Sequence, residues 1–74
     1  MQDAIGGAFQ IVVNGENREV RAGETIAGLV RTLHLDPGRL AIELDRQIVK
    51  RAAWASTVLP DGARIEIVQF VGGG

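Results

Sequence analysis

"AFQIVVNGENREVRA", residues 8–22, is the stretch that decides the fold. Two alternating runs flank Asn14-Gly15, a dipeptide that tolerates the positive φ angles of a tight hairpin turn. The pattern predicts antiparallel strands over residues 9–14 and 18–22. Period two places Phe9, Ile11 and Val13 on one face, and Val20 joins them from the second strand, so these four are expected in the core.

Working outward, "GETIAGLVRTLHLDPG" repeats Ile26, Leu29, Val30 and Leu33 at the spacing of an amphipathic helix. Thr25 is the expected N-cap, because its hydroxyl can accept a bond from a first-turn N–H. Asp36-Pro37-Gly38 is the expected stop. Gly28 costs about 1 kcal/mol relative to alanine in a helix, so a close neighbour is expected there. "RLAIELDRQIVKR" reads as a second, less regular strand pair around Asp45-Arg46, with Ile42 and Leu44 facing inward. "AAWAS" is long enough for a helical turn only. Pro60-Asp61-Gly62 then turns the chain into a last strand, "ARIEIVQF", where Ile65 and Ile67 alternate with Arg64 and Glu66.

The order β-β-α-β-β-β leaves one helix to cover one sheet. That excludes a doubly wound fold and points to an α+β, β-grasp (ubiquitin-like) arrangement: a mixed sheet of four to five strands with the helix across one face. One domain over residues 9–70 is expected. An N-terminal extension of residues 1–8 precedes it, read as disordered or a cloning remnant, and a flexible tail of residues 71–74 follows.

Composition narrows the function. The chain has 74 residues, 46% of them hydrophobic, and a net charge of −1, which suits a small globule. Its eight basic residues are scattered among nine acids, so the electrostatic footprint of a nucleic-acid binder is missing. Lack of cysteine favours a reducing cytoplasm. Neither an export signal nor a membrane-length apolar run is visible.

Catalysis needs a nucleophile, a base and a pocket. His34, the only histidine, sits at the end of the predicted helix, where the helix dipole favours it as a half-exposed residue rather than a base. Ser56 and Thr57 read as capping or turn residues. Glu43, Glu66, Asp45 and Asp61 read as solvated surface, and Trp54 as core volume.

Gly72-Gly73-Gly74 differs because of its place. A phosphate-cradling glycine loop leads into a helix, and this run does not. What remains is a carboxylate on a stalk: Val71 to Gly74, extended, reaches roughly 13 Å at about 3.3 Å per residue. Without Cβ, such a stalk can thread a channel too narrow for other residues. On the last strand, parity turns Val68 and Phe70 to the solvent face, with exposed Val12 of the neighbouring first strand beside them, as a docking patch. The alternative is a bulge near Val68 that turns one or both inward.

"IVVNGENREV", "IVKRAAW" and above all "DGARIEIVQFVGGG" resemble the small ThiS-like sulfur carriers of thiamine biosynthesis, which share the β-grasp fold with ubiquitin and the small subunit of molybdopterin synthase. The resemblance covers residue 9 to the end. It implies a carrier without catalysis of its own. Gly74 would be adenylated by a ubiquitin-activating-like adenylyltransferase that uses ATP and Mg. It would then become a thiocarboxylate, with sulfur from a donor such as a cysteine desulfurase, and pass that sulfur to thiazole synthase. Gly73 and Gly74 match the family's terminal pair, and Val71 and Gly72 the stalk threaded into the partner's active site. Asp45-Arg46, Lys50 and Ala63 depart from the family's usual residues outside the tail. The competing readings are a sulfur carrier for molybdenum cofactor or an amino acid, a ubiquitin-like protein modifier, and a plain binding module.

Overall fold

The computed structural model describes residues 7–71. In chain order the strands are β1 (Ala8–Val13), β2 (Glu16–Arg21), β3 (Leu40–Leu44), β4 (Gln47–Ile48) and β5 (Arg64–Gln69), with helix α1 (Ile26–Thr32) between β2 and β3. The five strands form one mixed sheet in the order β2-β1-β5-β3-β4. This is the β-grasp arrangement expected from the element order. The ladder starts at Ala8, and the Gly7 carbonyl accepts a bond from the Ala22 N–H at 2.7 Å, so the sheet claims residues 7 and 8 from the expected extension. The remainder of that extension, residues 1–6, lies outside the described residues.

Both tight hairpins use two consecutive residues of positive φ. Asn14 and Gly15 (φ 49° and 84°) join β1 to β2, and Asp45 and Arg46 (φ 49° and 74°) join β3 to β4. Positive φ at both positions is the type I′ geometry whose twist matches the flanking strands. Glycine takes this conformation freely, whereas Arg46 does so against its own Cβ.

Thr25 caps α1 as expected, its Oγ1 accepting the Gly28 N–H at 3.0 Å. The close neighbour of Gly28 is the Glu24 carboxylate, which occupies the space a Cβ would fill and accepts the Thr25 N–H at 3.2 Å. The helix stops earlier than Asp36-Pro37-Gly38. His34 takes φ 59°, and bonds from the His34 N–H to the Arg31 carbonyl (3.1 Å) and from the Leu35 N–H to the Val30 carbonyl (3.2 Å) close the turn. That pattern is a Schellman cap with histidine in the position glycine usually fills. His34 is therefore an exposed helix stop. Asp36 instead caps a 3-10 turn, Pro37–Arg39, by accepting the Gly38 N–H at 3.0 Å.

The core lies between α1 and the sheet. Ile11, Ile26, Leu29, Ile42, Leu59 and Ile65 are fully enclosed, with Val20, Val30, Trp54 and Ala63 beside them. Each large aliphatic side chain withdrawn from water contributes about 1.5–3 kcal/mol. Of the four hairpin residues expected in the core, Ile11 and Val20 are buried, while Phe9 and Val13 pack against the cluster half-covered. "AAWAS" proves longer than one turn: Arg51–Ser56 is a 3-10 helix that drops Trp54 into the core, where its Nε1 donates to the Val49 carbonyl at 2.7 Å. Ser56 and Thr57 close this helix, both hydroxyls donating to the Ala53 carbonyl at 3.1 and 2.7 Å.

Candidate functional site

The candidate site is the C-terminal end of β5, and the strand is fixed on both sides. Against β3 it runs antiparallel without a bulge, Ile42 opposite Ile67, Ala41 opposite Val68 and Leu40 opposite Gln69. The Phe70 N–H donates to the Arg39 carbonyl at 2.7 Å, carrying the pairing one residue beyond the strand. Against β1 it runs parallel, Val12 opposite Arg64 and Val13 opposite Ile65.

The turn residues pin β5 as well. Asn14 Oδ1 accepts the Ile67 N–H at 2.7 Å while its Nδ2 donates to the Ile67 carbonyl at 3.1 Å. Asp45 works similarly at the other end: its Oδ1 accepts the Arg64 N–H at 2.9 Å, and its own N–H donates to the Arg64 carbonyl at 2.8 Å. Both side chains reach β5 because left-handed backbone at the turn aims them back along the sheet. On sequence alone Asp45 reads as surface and Asn14 as a turn residue only.

With the register intact, parity turns Val68 and Phe70 to the solvent face, each 55% exposed. The bulged alternative is not what the chain adopts. Val12 faces the same side but is half-buried rather than exposed, flanked in register by Asn17 of β2 and Arg64 of β5. Val68 lies four positions beyond Arg64, about 13 Å along a strand, so Val12 stands apart from the Val68–Phe70 patch. Ile48, 75% exposed, is on the same face opposite Glu43. A two-residue turn at Asp45-Arg46 already implies that pairing, so the signal for Ile48 was in the sequence. Glu43 in turn stands opposite Glu66, placing two carboxylates side by side between Ile48 and Val68.

Val71 is 93% exposed. Gly72, Gly73 and Gly74, the rest of the expected tail, lie outside the described residues. An apolar cleft of 240 Å³ is lined by Ala27, Val30, Arg31, Leu35, Pro37 and Trp54 on the helix side of the sheet. Among the described residues no cluster of acids and histidine is arranged to hold a metal. No helix there is long and apolar enough to cross a membrane. Among the described residues the geometry thus offers an apolar surface beside the end of β5.

The family model for the ThiS family matches residues 11–74. Sulfur carrier protein ThiS of Escherichia coli is 32% identical over 66 residues, covering 89% of this chain and all of that protein. Thiazole synthases of Paramagnetospirillum magneticum and Magnetococcus marinus are each 37% identical over 66 residues. The chain spans only 20% of their length, so each carries a stretch resembling this domain within a longer protein. Among solved structures, a crystal structure of the thiamine biosynthesis protein ThiS from Geobacter metallireducens superposes with a TM-score of 0.77 at 26% identity, covering 89% of this chain and 100% of that one. A solution structure of a thiamine biosynthesis protein from the same organism gives 0.71 at 28% identity, covering 89% and 88%. With the family match reaching from β1 through the glycine run, and the β-grasp sheet superposing on a solved relative, the chain belongs to the ThiS family.

Proposed function

We propose that this chain is a cytoplasmic sulfur carrier for thiazole formation in thiamine biosynthesis, with the carboxyl group of Gly74 as the sulfur-carrying group. The observation that carries the reading is the family match, which runs without a break from the sheet through Gly74. A sulfur carrier of full-length similarity supports it.

The chemistry follows from the carboxylate's weakness as an electrophile. Its oxygen attacks the α-phosphorus of ATP in a partner adenylyltransferase, pyrophosphate leaves, and an acyl adenylate forms. The terminal sulfur of a persulfide, carried by a donor such as a cysteine desulfurase, attacks the carbonyl carbon and expels AMP to give an acyl disulfide. A second thiol then attacks the donor-side sulfur of that S–S bond, forming a disulfide with the donor and releasing the thiocarboxylate. The protein supplies no catalytic group in these steps; ATP and Mg belong to the partner. Its contribution is presentation: β5 is pinned at Arg64 and Ile67 just before Val71, Gly72 and Gly73, the stretch this reading assigns to the partner's active site. Val68 and Phe70 supply the docking surface, with Val12 a lesser contributor because it is half-covered.

Thiazole synthase is the acceptor in this reading. That two thiazole synthases contain a stretch similar to this chain supports bringing carrier and acceptor together. Removing Gly73-Gly74 tests the proposal: sulfur transfer is lost while thermal unfolding stays at the full-length value. Retained transfer after truncation contradicts it.

A further inference from the structure

The backbone of β5 is satisfied on one side farther than on the other. Toward β3, bonding continues to Phe70, whose N–H reaches the Arg39 carbonyl. Toward β1, the Val12 N–H donates to the Ala63 carbonyl and the Asn14 N–H to the Ile65 carbonyl, both at 2.9 Å. Asn14's side-chain amide then takes both polar groups of Ile67. Backbone groups along a strand alternate sides with period two, so the next residue turned this way is Gln69. Its N–H and C=O have no partner among the described residues. Among the described residues no strand runs in the lane beside it, because β1 stops at Val13 and its turn leads the chain back into β2.

We propose that this lane receives a strand: an extended segment of the adenylyltransferase that takes up the tail pairs with Gln69 and continues the sheet where β1 leaves it. The inference rests on the carrier reading and deepens its docking step. An edge that presents one free donor and one free acceptor in strand geometry is complementary to another extended backbone about 4.8 Å away. The adjoining apolar residues are Val68 and Phe70, each 55% exposed on the sheet's solvent face, which give an incoming strand surface to cover. The edge is also continuous with the stalk. A strand that pairs with Gln69 fixes the direction in which Val71 and the glycines leave the domain, aligning them for entry into the active site. Asn14 sets where the partner strand can begin, because its amide already occupies the preceding rung.

Amide-resolved hydrogen exchange, on the full chain alone and in complex with the source organism's ubiquitin-activating-like adenylyltransferase, ATP, Mg and a sulfur source, tests this. In the free chain the Phe70 amide is protected and the Gln69 amide exchanges rapidly; in the complex the Gln69 amide slows by at least about tenfold. Gln69→Pro removes the N–H on the open edge without touching the bonds to β3. It weakens the complex by at least about tenfold, whereas Gln69→Ala, which keeps the N–H, changes it little. A complex that forms with Gln69 exchanging as in the free chain overturns the strand pairing, even if a thiocarboxylate is made and the carrier reading stands. Protection of Gln69 without any thiocarboxylate supports the pairing and overturns the carrier reading. Gln69 protection that instead rises with the concentration of the chain alone assigns the edge to a second copy and overturns the proposal. Absence of any complex overturns both.

Discussion

Asn14 and Ile67 form a closed ring of two hydrogen bonds, the side-chain amide of one turned fully onto the backbone of the other at 2.7 and 3.1 Å. An amide side chain here does the work of one further strand residue, extending the β1–β5 pairing past the end of β1. Because these bonds are solvent-exposed, each contributes about 1 kcal/mol or less. Asn14→Gly keeps the turn's backbone freedom and removes the ring, so chemical denaturation should show a loss of about 1–2 kcal/mol. Asn14→Asp retains the acceptor for the Ile67 N–H but replaces the donor with an oxygen facing the Ile67 carbonyl, and should be at least as destabilising. A stability unchanged in both variants would contradict the ring's role.

Arg46 and His34 hold left-handed backbone without being glycine, at φ 74° and 59°. Such a conformation costs an L-residue roughly 1–2 kcal/mol, part of which glycine returns through its greater unfolded-state freedom. Arg46→Gly and His34→Gly should therefore each raise stability by about 0.5–1 kcal/mol, read as a higher denaturation midpoint with an unchanged slope.

The first hairpin was readable because Asn14-Gly15 states its turn type locally, and the sheet followed from element order and strand parity. The outward set of Val68 and Phe70 was readable for the same reason. What the sequence concealed depends on distant partners. Asn14's hold on Ile67 spans 53 residues, and no pattern around Asn14 announces it. Val12 reads as exposed when its strand is taken alone, yet it is half-covered because β1 has neighbours on both sides, β2 and β5. The helix stop was misplaced because histidine rarely signals a left-handed cap, while Pro37 and Gly38 signal a turn strongly.

Val68 and Phe70 contribute little to the fold, since each is 55% exposed. Val68→Asp and Phe70→Asp should leave unfolding free energy within about 0.5 kcal/mol of the starting value. The same variants should weaken association with the adenylyltransferase at least about tenfold, the range for a well-placed apolar contact in an interface. Val12→Asp should behave differently, losing stability as well because its side chain is half-buried. Titration calorimetry alongside denaturation separates the two effects.

Intact mass spectrometry is the sharpest test of the Gly74 carboxyl group as the proposed sulfur carrier. The full chain is incubated with ATP, Mg, a sulfur source and its adenylyltransferase, and an adenylated species should appear first. It should then give way to a species in which one terminal oxygen is replaced by sulfur, with fragmentation placing the change on Gly74. An unchanged mass in the presence of an active adenylyltransferase, or a replacement located anywhere other than Gly74, would contradict the account.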